Sequence, residues 1–191
     1  MAELRPAVVF DINVYVKAIA GKGSEWPRIQ EIPPATSNAA ADCLSIAFDA
    51  EEFRVFASPH ILRNTARVLQ ELGLSPQTVD GAMRAVLEIV RESGGAVVEP
   101  PRHCSDVHDH EDNLIMDLAV AVDAFLVVSD DTDLTSISPW RGRIPILRPR
   151  EFVERVVQNR RRPRPTAAPS GPSSPRQHSS IDDGDPREDE Q

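Results

Sequence analysis

Short apolar runs alternate along this sequence with longer segments of helical spacing, and this alternation restricts the fold more than any other feature. Nearly continuous apolar runs are typical of buried strands in a parallel sheet that helices cover on both faces. Five runs predict strands, at residues 7–10, 52–57, 96–98, 124–128 and 144–147. We therefore expect an α/β domain with a parallel sheet at its centre.

The helices between these strands are marked by local signals. A Ser-Pro pair at residues 58–59 and another at 75–76 predict two helix starts, because serine is a good N-cap and proline suits the first helical position. A Gly-Gly pair at residues 94–95 predicts the end of the second helix. Three more helices are predicted at residues 38–48, 112–122 and 149–157, and a loop at 21–34.

The chain is predicted to form one folded domain, residues 1–157, followed by a disordered tail, residues 158–191. The tail is rich in Pro, Ser and Arg and then acidic, and Ile181 is its one aliphatic side chain larger than alanine. Such a segment cannot bury enough surface to offset the entropy of ordering. No run approaches the roughly 20 apolar residues that span a bilayer. We expect a cytoplasmic protein without a membrane segment and, with two unrelated cysteines, without a disulfide framework.

The formal net charge of −9 argues at first against a nucleic-acid partner, since binding to phosphates normally uses clustered Lys and Arg. From Asn159 onward the tail carries six Arg and six acidic residues, so the excess negative charge belongs to the folded part. A bound cation would reconcile acidic side chains with a phosphate ligand. The question is therefore whether the acids converge.

Several aspartates follow the predicted strands at their carboxyl ends, where parallel sheets bind ligands. Asp11 follows the first strand, Asp130, Asp131 and Asp133 follow the strand at 124–128, and Asp112 begins the helix before that strand. Each aspartate alone is more typical of a turn or a helix cap. Their shared edge indicates a metal site, and oxygen ligands without suitably spaced His or Cys favour Mg²⁺ or Mn²⁺ over zinc.

Three segments carry a resemblance to a known family: VVFDINVYV at residues 8–16, SPHILRNTARVL at 58–69 and DHEDNLIMDLAVAVDAFLVVSDDTDL at 109–134. They resemble a PIN-domain ribonuclease, most closely the VapC-type toxin of VapBC toxin–antitoxin pairs. The resemblance covers residues 7–157, and its last segment is the most specific. It implies a three-layer α/β/α sandwich with a central, mostly parallel, five-stranded sheet.

The resemblance also implies roles for individual residues. Catalytic and metal-binding roles fall to Asp11, Asp112 and Asp131, a further metal-binding role to Asp133, and supporting roles to Asn13, Asn64 and Ser129. Asn64 departs from the pattern, because the family usually has a glutamate there. An amide oxygen can coordinate a metal but carries no charge. The sequence therefore predicts a site with one carboxylate fewer, and with either reduced metal affinity or one of two metals lost. From its neutral side chain alone, Asn64 is more typical of an ordinary exposed helix residue.

Two other groups of polar residues are predicted to lie outside the set of ligands. Asp117 follows Asp112 by five residues, which places the two on different faces of the helix. We expect Asp117 at the surface or behind the ligands. His103, His108 and His110 have no zinc-like spacing and predict a polar loop.

The resemblance implies a Mg²⁺- or Mn²⁺-dependent endoribonuclease that hydrolyses RNA phosphodiester bonds. It further implies the toxin of a type II toxin–antitoxin system, neutralised by a small VapB-type antitoxin and forming a homodimer. The substitution at Asn64 keeps a second interpretation open, a catalytically weakened PIN-fold binding or regulatory module. A phosphatase that forms an aspartyl-phosphate would need an aspartate two positions after Asp11, and Asn13 stands there.

Overall fold

A single parallel sheet of four strands lies at the centre of the residues that the computed structural model describes, 5–22, 37–107 and 109–161. The strands are β1 (Ala7–Phe10), β2 (Arg54–Phe56), β3 (Ala124–Val128) and β4 (Ile146–Leu147). They are ordered β2-β1-β3-β4, and each neighbouring pair is parallel. All four side chains of β1 are buried, so helices cover both faces of the sheet and the α/β sandwich is confirmed.

The strand predicted at residues 96–98 is not part of this sheet, so the prediction of five strands was wrong by one for the described residues. Ala57 and Val97 form an isolated parallel bridge, in which Ala57 N donates to Ala96 O at 3.2 Å and Val98 N donates to Ala57 O at 2.9 Å. The pairing does not continue, because Pro100 and Pro101 follow and have no N–H to donate to a ladder.

Seven helices surround the sheet in the described part of the chain. They are α1 (Ile12–Ala20), α2 (Ala39–Phe48), α3 (Pro59–Glu71), α4 (Pro76–Glu92), α5 (His110–Ala121), α6 (Thr132–Ser136) and α7 (Pro149–Arg161). Both Ser-Pro predictions are confirmed: Ser58 accepts a hydrogen bond from Ile61 N, and Ser75 accepts one from Thr78 N. Helix α1 begins one residue after β1 and α6 three residues after β3, and neither was predicted as a helix.

Helix α7 continues four residues beyond the predicted end of the domain at Val157. Arg160 explains the extension, because its guanidinium pairs with Glu52 Oε1 at 2.6 Å and with Asp49 Oδ1 at 3.1 Å. Both acids lie more than 100 residues earlier, so no local pattern could reveal the contact. Residues 162–191 of the predicted tail, residues 23–34 of the predicted loop and His108 lie outside the described residues.

Aromatic rings join the sheet to α1 and α7 in the core. The Phe10 ring packs against Phe152 with a centroid distance of 5.6 Å and against Tyr15 at 6.0 Å, and Phe53 contacts Phe152 at 5.4 Å. Burying such rings stabilises the fold by about 1.5–3 kcal/mol each. These contacts fix the end of β1, where the candidate site begins. Within the described residues, no helix has both the length and the apolar character needed to cross a membrane.

Candidate active site

The carboxyl ends of β1 and β3 are adjacent, as expected for neighbouring parallel strands. Asp11 N donates to Val128 O at 2.9 Å, which continues the β1–β3 pairing by one step beyond the strands. The Ser129 hydroxyl then donates to Asp11 Oδ2 at 2.6 Å. Because both groups are buried, this hydrogen bond holds the Asp11 carboxylate in one orientation at the junction of the two strands.

Asn13 makes a second connection between the two strand ends. Its Nδ2 donates to Asp11 Oδ2 at 2.5 Å and to Ser129 Oγ at 3.2 Å, and its Oδ1 accepts from Asp130 N at 3.0 Å. The first turn of α1 carries Asn13 over the sheet edge, because Asp11 caps this helix by accepting from Ile12 N. Both residues that were predicted to have supporting roles, Asn13 and Ser129, contact Asp11, while the roles themselves stay predictions.

Asp131 is tied to the same network through its backbone. Its N–H donates to Ser129 Oγ at 2.9 Å, and its Oδ1 caps α6 by accepting from Asp133 N at 2.7 Å. Asp131 is half-buried, whereas the Asp133 side chain is exposed. The Ser129 hydroxyl therefore positions two acids at once, one at the end of β1 and one after β3.

Asp112 comes to this place from a different element, the first turn of α5. Burial, followed by the negative charges of Asp131 and Asp11, raises the pKa of the half-buried Asp112 carboxyl to about 7. Burial likewise raises the pKa of Asp11 to about 6, although hydrogen bonds from Ser129 and Ile12 N oppose it. The charges of Asp131 and Asp11 therefore act on the Asp112 carboxyl, although no hydrogen bond joins Asp112 to either residue in the described part of the chain.

The chemistry of these donors suits a hard divalent cation. Carboxylates held near one another in a partly buried place repel, and a cation relieves the repulsion. Among residues 5–22, 37–107 and 109–161, no three His, Cys, Asp or Glu side chains lie close enough together to hold a metal ion. In charge and donor type these acids suit a divalent ion, but in the described residues they are not arranged as a group of three that could hold one.

Asn64 hydrogen-bonds to side chains of its own helix rather than to the aspartates. On α3 its Nδ2 lies 3.0 Å from His60 Nδ1, and its Oδ1 accepts from Arg67 Nε at 3.1 Å. The oxygen that would coordinate a metal is therefore engaged by a cation one helical turn away. His60, which the sequence analysis did not single out, lies one turn before Asn64 on α3. Burial lowers the pKa of its ring below the usual range.

Two polar side chains of α5 hold the chain segment that precedes this helix and therefore Asp112. Neither was predicted to do so. Asp117 Oδ1 accepts from His103 N at 2.8 Å and from Cys104 N at 2.7 Å, and Asn113 exchanges two hydrogen bonds with the Val107 backbone. Asp117 is 2% exposed, so it lies behind the site rather than at the surface. The i, i+4 spacing of Asn113 and Asp117 is the one signal that could have revealed this pair.

The Asp130 side chain forms ion pairs outside the acidic group. Asp130 Oδ2 accepts from Lys17 Nζ at 2.9 Å, and Asp130 Oδ1 lies 3.9 Å from an Arg148 guanidinium nitrogen. Its backbone N–H still binds Asn13. Asp130 therefore stands between the acids of the site and a group of basic side chains.

Comparison with known proteins identifies one family. The family described as the PIN domain matches residues 7–133, which is more than half of the 191-residue chain. The matched range contains Asp11, Asn64, Asp112, Asp131 and Asp133. No curated protein matches the chain.

Proposed function

Because this chain belongs to the PIN-domain family, whose members are generally nucleases, we propose that it is a metal-dependent endoribonuclease that hydrolyses RNA phosphodiester bonds. One observation carries the proposal. The Ser129 hydroxyl binds the Asp11 carboxylate and the Asp131 backbone together, so two acids from neighbouring strand ends are positioned by one group.

Asp11, Asp112 and Asp131 would hold Mg²⁺ or Mn²⁺, with Asp133 as an additional acid. Such an ion supplies a Lewis acid that stabilises negative charge developing on the phosphate. Oxygen-only donors support these hard cations rather than zinc. Asp133 is exposed and lies in the first turn of α6, after the N-cap Asp131, so its side chain can reach the ion from the solvent side.

The remaining residues act by orienting these acids. Asn13 and Ser129 hold Asp11 Oδ2, and Ser129 holds the backbone of Asp131. Asn113 and Asp117 anchor the segment before α5 and so set the position of Asp112. Hydrogen bonds to metal-binding acids typically affect metal affinity or activity by about 10- to 100-fold.

The same residues support a more specific role, the toxin of a type II toxin–antitoxin system in the cytoplasm. The segments around Asp11 and Asp131 resemble VapC-type toxins, and an acidic site suits neutralisation by a VapB-type antitoxin, whose arginine would pair with the carboxylates. Homodimerisation is part of this proposal. Expressing the chain in a bacterial host with and without its neighbouring small reading frame tests it, and growth arrest that the neighbour relieves is the expected result.

A second candidate is a catalytically weakened PIN-fold binding or regulatory module. The observation that favours it is the hydrogen bond from Arg67 to Asn64 Oδ1, because a position that usually carries a glutamate is here neutral and engaged elsewhere. In this case the acids would bind metal weakly, and the fold would serve to bind RNA or protein without cleaving RNA.

The decisive experiment combines a cleavage assay with calorimetry. Purified protein should cleave labelled single-stranded RNA in Mg²⁺ or Mn²⁺ but not in EDTA, and Asp11→Asn should abolish cleavage while Asp123→Asn, at the other end of β3, should not. Cleavage that survives both EDTA and Asp11→Asn would exclude the metal mechanism. No cleavage, together with no Mn²⁺ binding at millimolar concentration, would favour the binding module.

A further inference from the structure

A basic groove includes Asp130 in its lining. It has a volume of about 350 Å³, and Lys17, Lys22, Arg148 and Arg150 line it together with Asp130. These residues carry a surplus of three positive charges, on a chain whose net charge is −9. A groove with a positive charge surplus, next to an acidic site, suits an anionic ligand.

Two helix N-termini also border the groove, although each first turn already contains an acid, Asp42 in α2 and Glu151 in α7. Asn38, the N-cap of α2, and Pro149, the first residue of α7, both line it. The N-terminal end of a helix carries about half a positive charge and favours anions. Asn38 also donates from Nδ2 to Lys17 O at 2.9 Å, which joins the end of α1 to the start of α2 and fixes the wall of the groove.

Asp130 connects the groove to the candidate site. Its carboxylate pairs with Lys17 and Arg148, whose side chains are 53% and 48% exposed. Exposed ion pairs contribute only about 0–1 kcal/mol, so an incoming phosphate can replace Asp130 as the partner of either cation. Asp130 N donates to Asn13, and Asn13 in turn donates to Asp11. Asp130 therefore connects the lining of the groove to the acids of the candidate site.

We propose that the groove lined by Lys17, Lys22, Arg148 and Arg150 binds the phosphodiester backbone of the RNA strand next to the cleaved bond, and that Asp130 competes with the phosphates for Lys17 and Arg148. The inference rests on the proposed ribonuclease function and extends it to a second, non-catalytic contact. It explains how an acidic protein attracts a polyanion: the cations lie beside the site, and a strand in the groove passes directly to the carboxylates.

The test measures RNA binding without cleavage, by fluorescence anisotropy of a labelled single-stranded oligoribonucleotide in EDTA. For the double variant Lys17→Ala/Arg148→Ala, the slope of log affinity against log salt should decrease by about 1.4, since each phosphate contact on a single strand contributes about 0.7. The control Arg84→Ala/Arg91→Ala removes the same charge from exposed positions on α4 and should keep the slope. The single variants Lys17→Gln and Arg148→Gln provide the same comparison if the double variant does not fold.

A substitution of opposite sign strengthens the test. Asp130→Asn removes the internal competitor and should tighten RNA binding severalfold. Asp123→Asn makes the same change of net charge at the amino end of β3, where Asp123 is 92% exposed, and should leave the affinity as it is. Equal tightening by both variants would mean that only net charge matters, and would overturn the proposal.

The remaining outcomes separate this groove from the ribonuclease function. RNA binding that depends on the groove, without cleavage in any metal, would retain the groove and exclude the function. Cleavage that depends on Asp11, with wild-type binding by the double variant, would retain the function and exclude the groove. Absence of RNA binding by the wild type, or equal displacement of RNA by poly-glutamate, would also overturn the proposal, the latter in favour of an acidic protein segment.

Discussion

Ser129 Oγ lies 2.6 Å from Asp11 Oδ2 and so joins two strand ends that are 118 residues apart in the sequence. The same oxygen accepts from Asp131 N and from Asn13 Nδ2, so the hydroxyl uses its one donor and both acceptor positions within the site. The orientation of the acids at both strand ends thus depends on one small, uncharged side chain.

Replacing this hydroxyl should impair the site more than the fold. Ser129→Ala should reduce RNA cleavage by about 10- to 100-fold, because it leaves Asp11 and Asp131 less well oriented. The loss should lie mainly in kcat, measured in steady-state cleavage assays with Mn²⁺. Ser129→Thr keeps the hydroxyl and should retain more activity. Ser45→Ala, a serine on α2 that bonds its own helix, is the control, and an equal loss there would contradict the assignment.

The raised pKa values of Asp11 and Asp112 predict a pH dependence of stability. In the folded protein the pKa is about 6 for Asp11 and about 7 for Asp112, compared with 3.8 for an unperturbed aspartate. In EDTA the folded protein therefore binds more protons than the unfolded chain between about pH 4 and pH 7. Stability should therefore fall as pH rises through this range. Thermal unfolding at pH 5 and pH 8 measures the effect.

Asp112→Asn isolates the contribution of one carboxyl to this effect. The decrease in melting temperature between pH 5 and pH 8 should be smaller in this variant than in the wild type, since the amide cannot ionise. Mn²⁺ should raise the melting temperature of the wild type at pH 8 more than that of the variant. Asp123→Asn should behave as the wild type does. Identical pH dependence in the wild type and Asp112→Asn would disprove the electrostatic coupling.

Restoring a carboxylate at position 64 should strengthen metal binding. Asn64→Glu is expected to raise Mn²⁺ affinity in calorimetry, and the gain should be larger when Arg67→Gln removes the guanidinium that now binds Asn64 Oδ1. Gln70→Glu, an exposed position on the same helix, adds the same charge as a control. A neutral or harmful effect of Asn64→Glu in both backgrounds would show that this position no longer belongs to the site.

The buried Asp117 should affect both stability and activity. Asp117→Ala leaves two amide N–H groups, those of His103 and Cys104, without their acceptor, and each such loss costs about 1–3 kcal/mol when the donor is buried. His103 is exposed and Cys104 half-buried, so chemical denaturation should detect a destabilisation near the lower end of that range, and cleavage should fall because the segment leading to Asp112 loosens.

The pKa of Asp117 allows a further check of its role. Burial raises the pKa of the Asp117 carboxyl, but the hydrogen bonds from two amides outweigh burial and hold the pKa below its usual range. The ionised carboxylate therefore stabilises the fold at pH values above the pKa that Asp117 has in the unfolded chain. This stabilisation is lost as pH falls through the lower pKa of the folded protein. Asp117→Asn should therefore reduce the acid dependence of stability at low pH. Unaltered stability in both Asp117 variants would remove this residue from the support of α5.

The sequence predicted those parts of the site that follow from local rules. Asp11 and Asp131 could be placed at strand ends because β1 and β3 are continuous apolar runs, and the two strands do pair in parallel. Asp112 could be placed because it opens a helix that leads into β3. In each case a residue's position relative to its own element was sufficient.

Other features depend on contacts between distant segments and could not be predicted in this way. Helical geometry correctly separated Asp117 from Asp112, but only the structure shows that residues 103–104 fold back onto that other face. The apolar run at 96–98 has a strand-like composition, yet it makes one bridge because two prolines end it. Arg160 extends α7 through partners on a loop far away in the sequence.

Two of the three catalytic candidates are also helix N-caps: Asp11 caps α1 and Asp131 caps α6. The third, Asp112, is not, because Asp109 caps α5. A descendant that lost nuclease activity would still be selected to keep a capping side chain at positions 11 and 131, so aspartate, asparagine, serine or threonine would persist there. Position 112 makes no capping contact and gains only the weaker benefit of an acid in the first turn of α5, so it would change more readily. Among related sequences, the residue at 112 is therefore the one that separates lineages that still cleave from lineages that only fold.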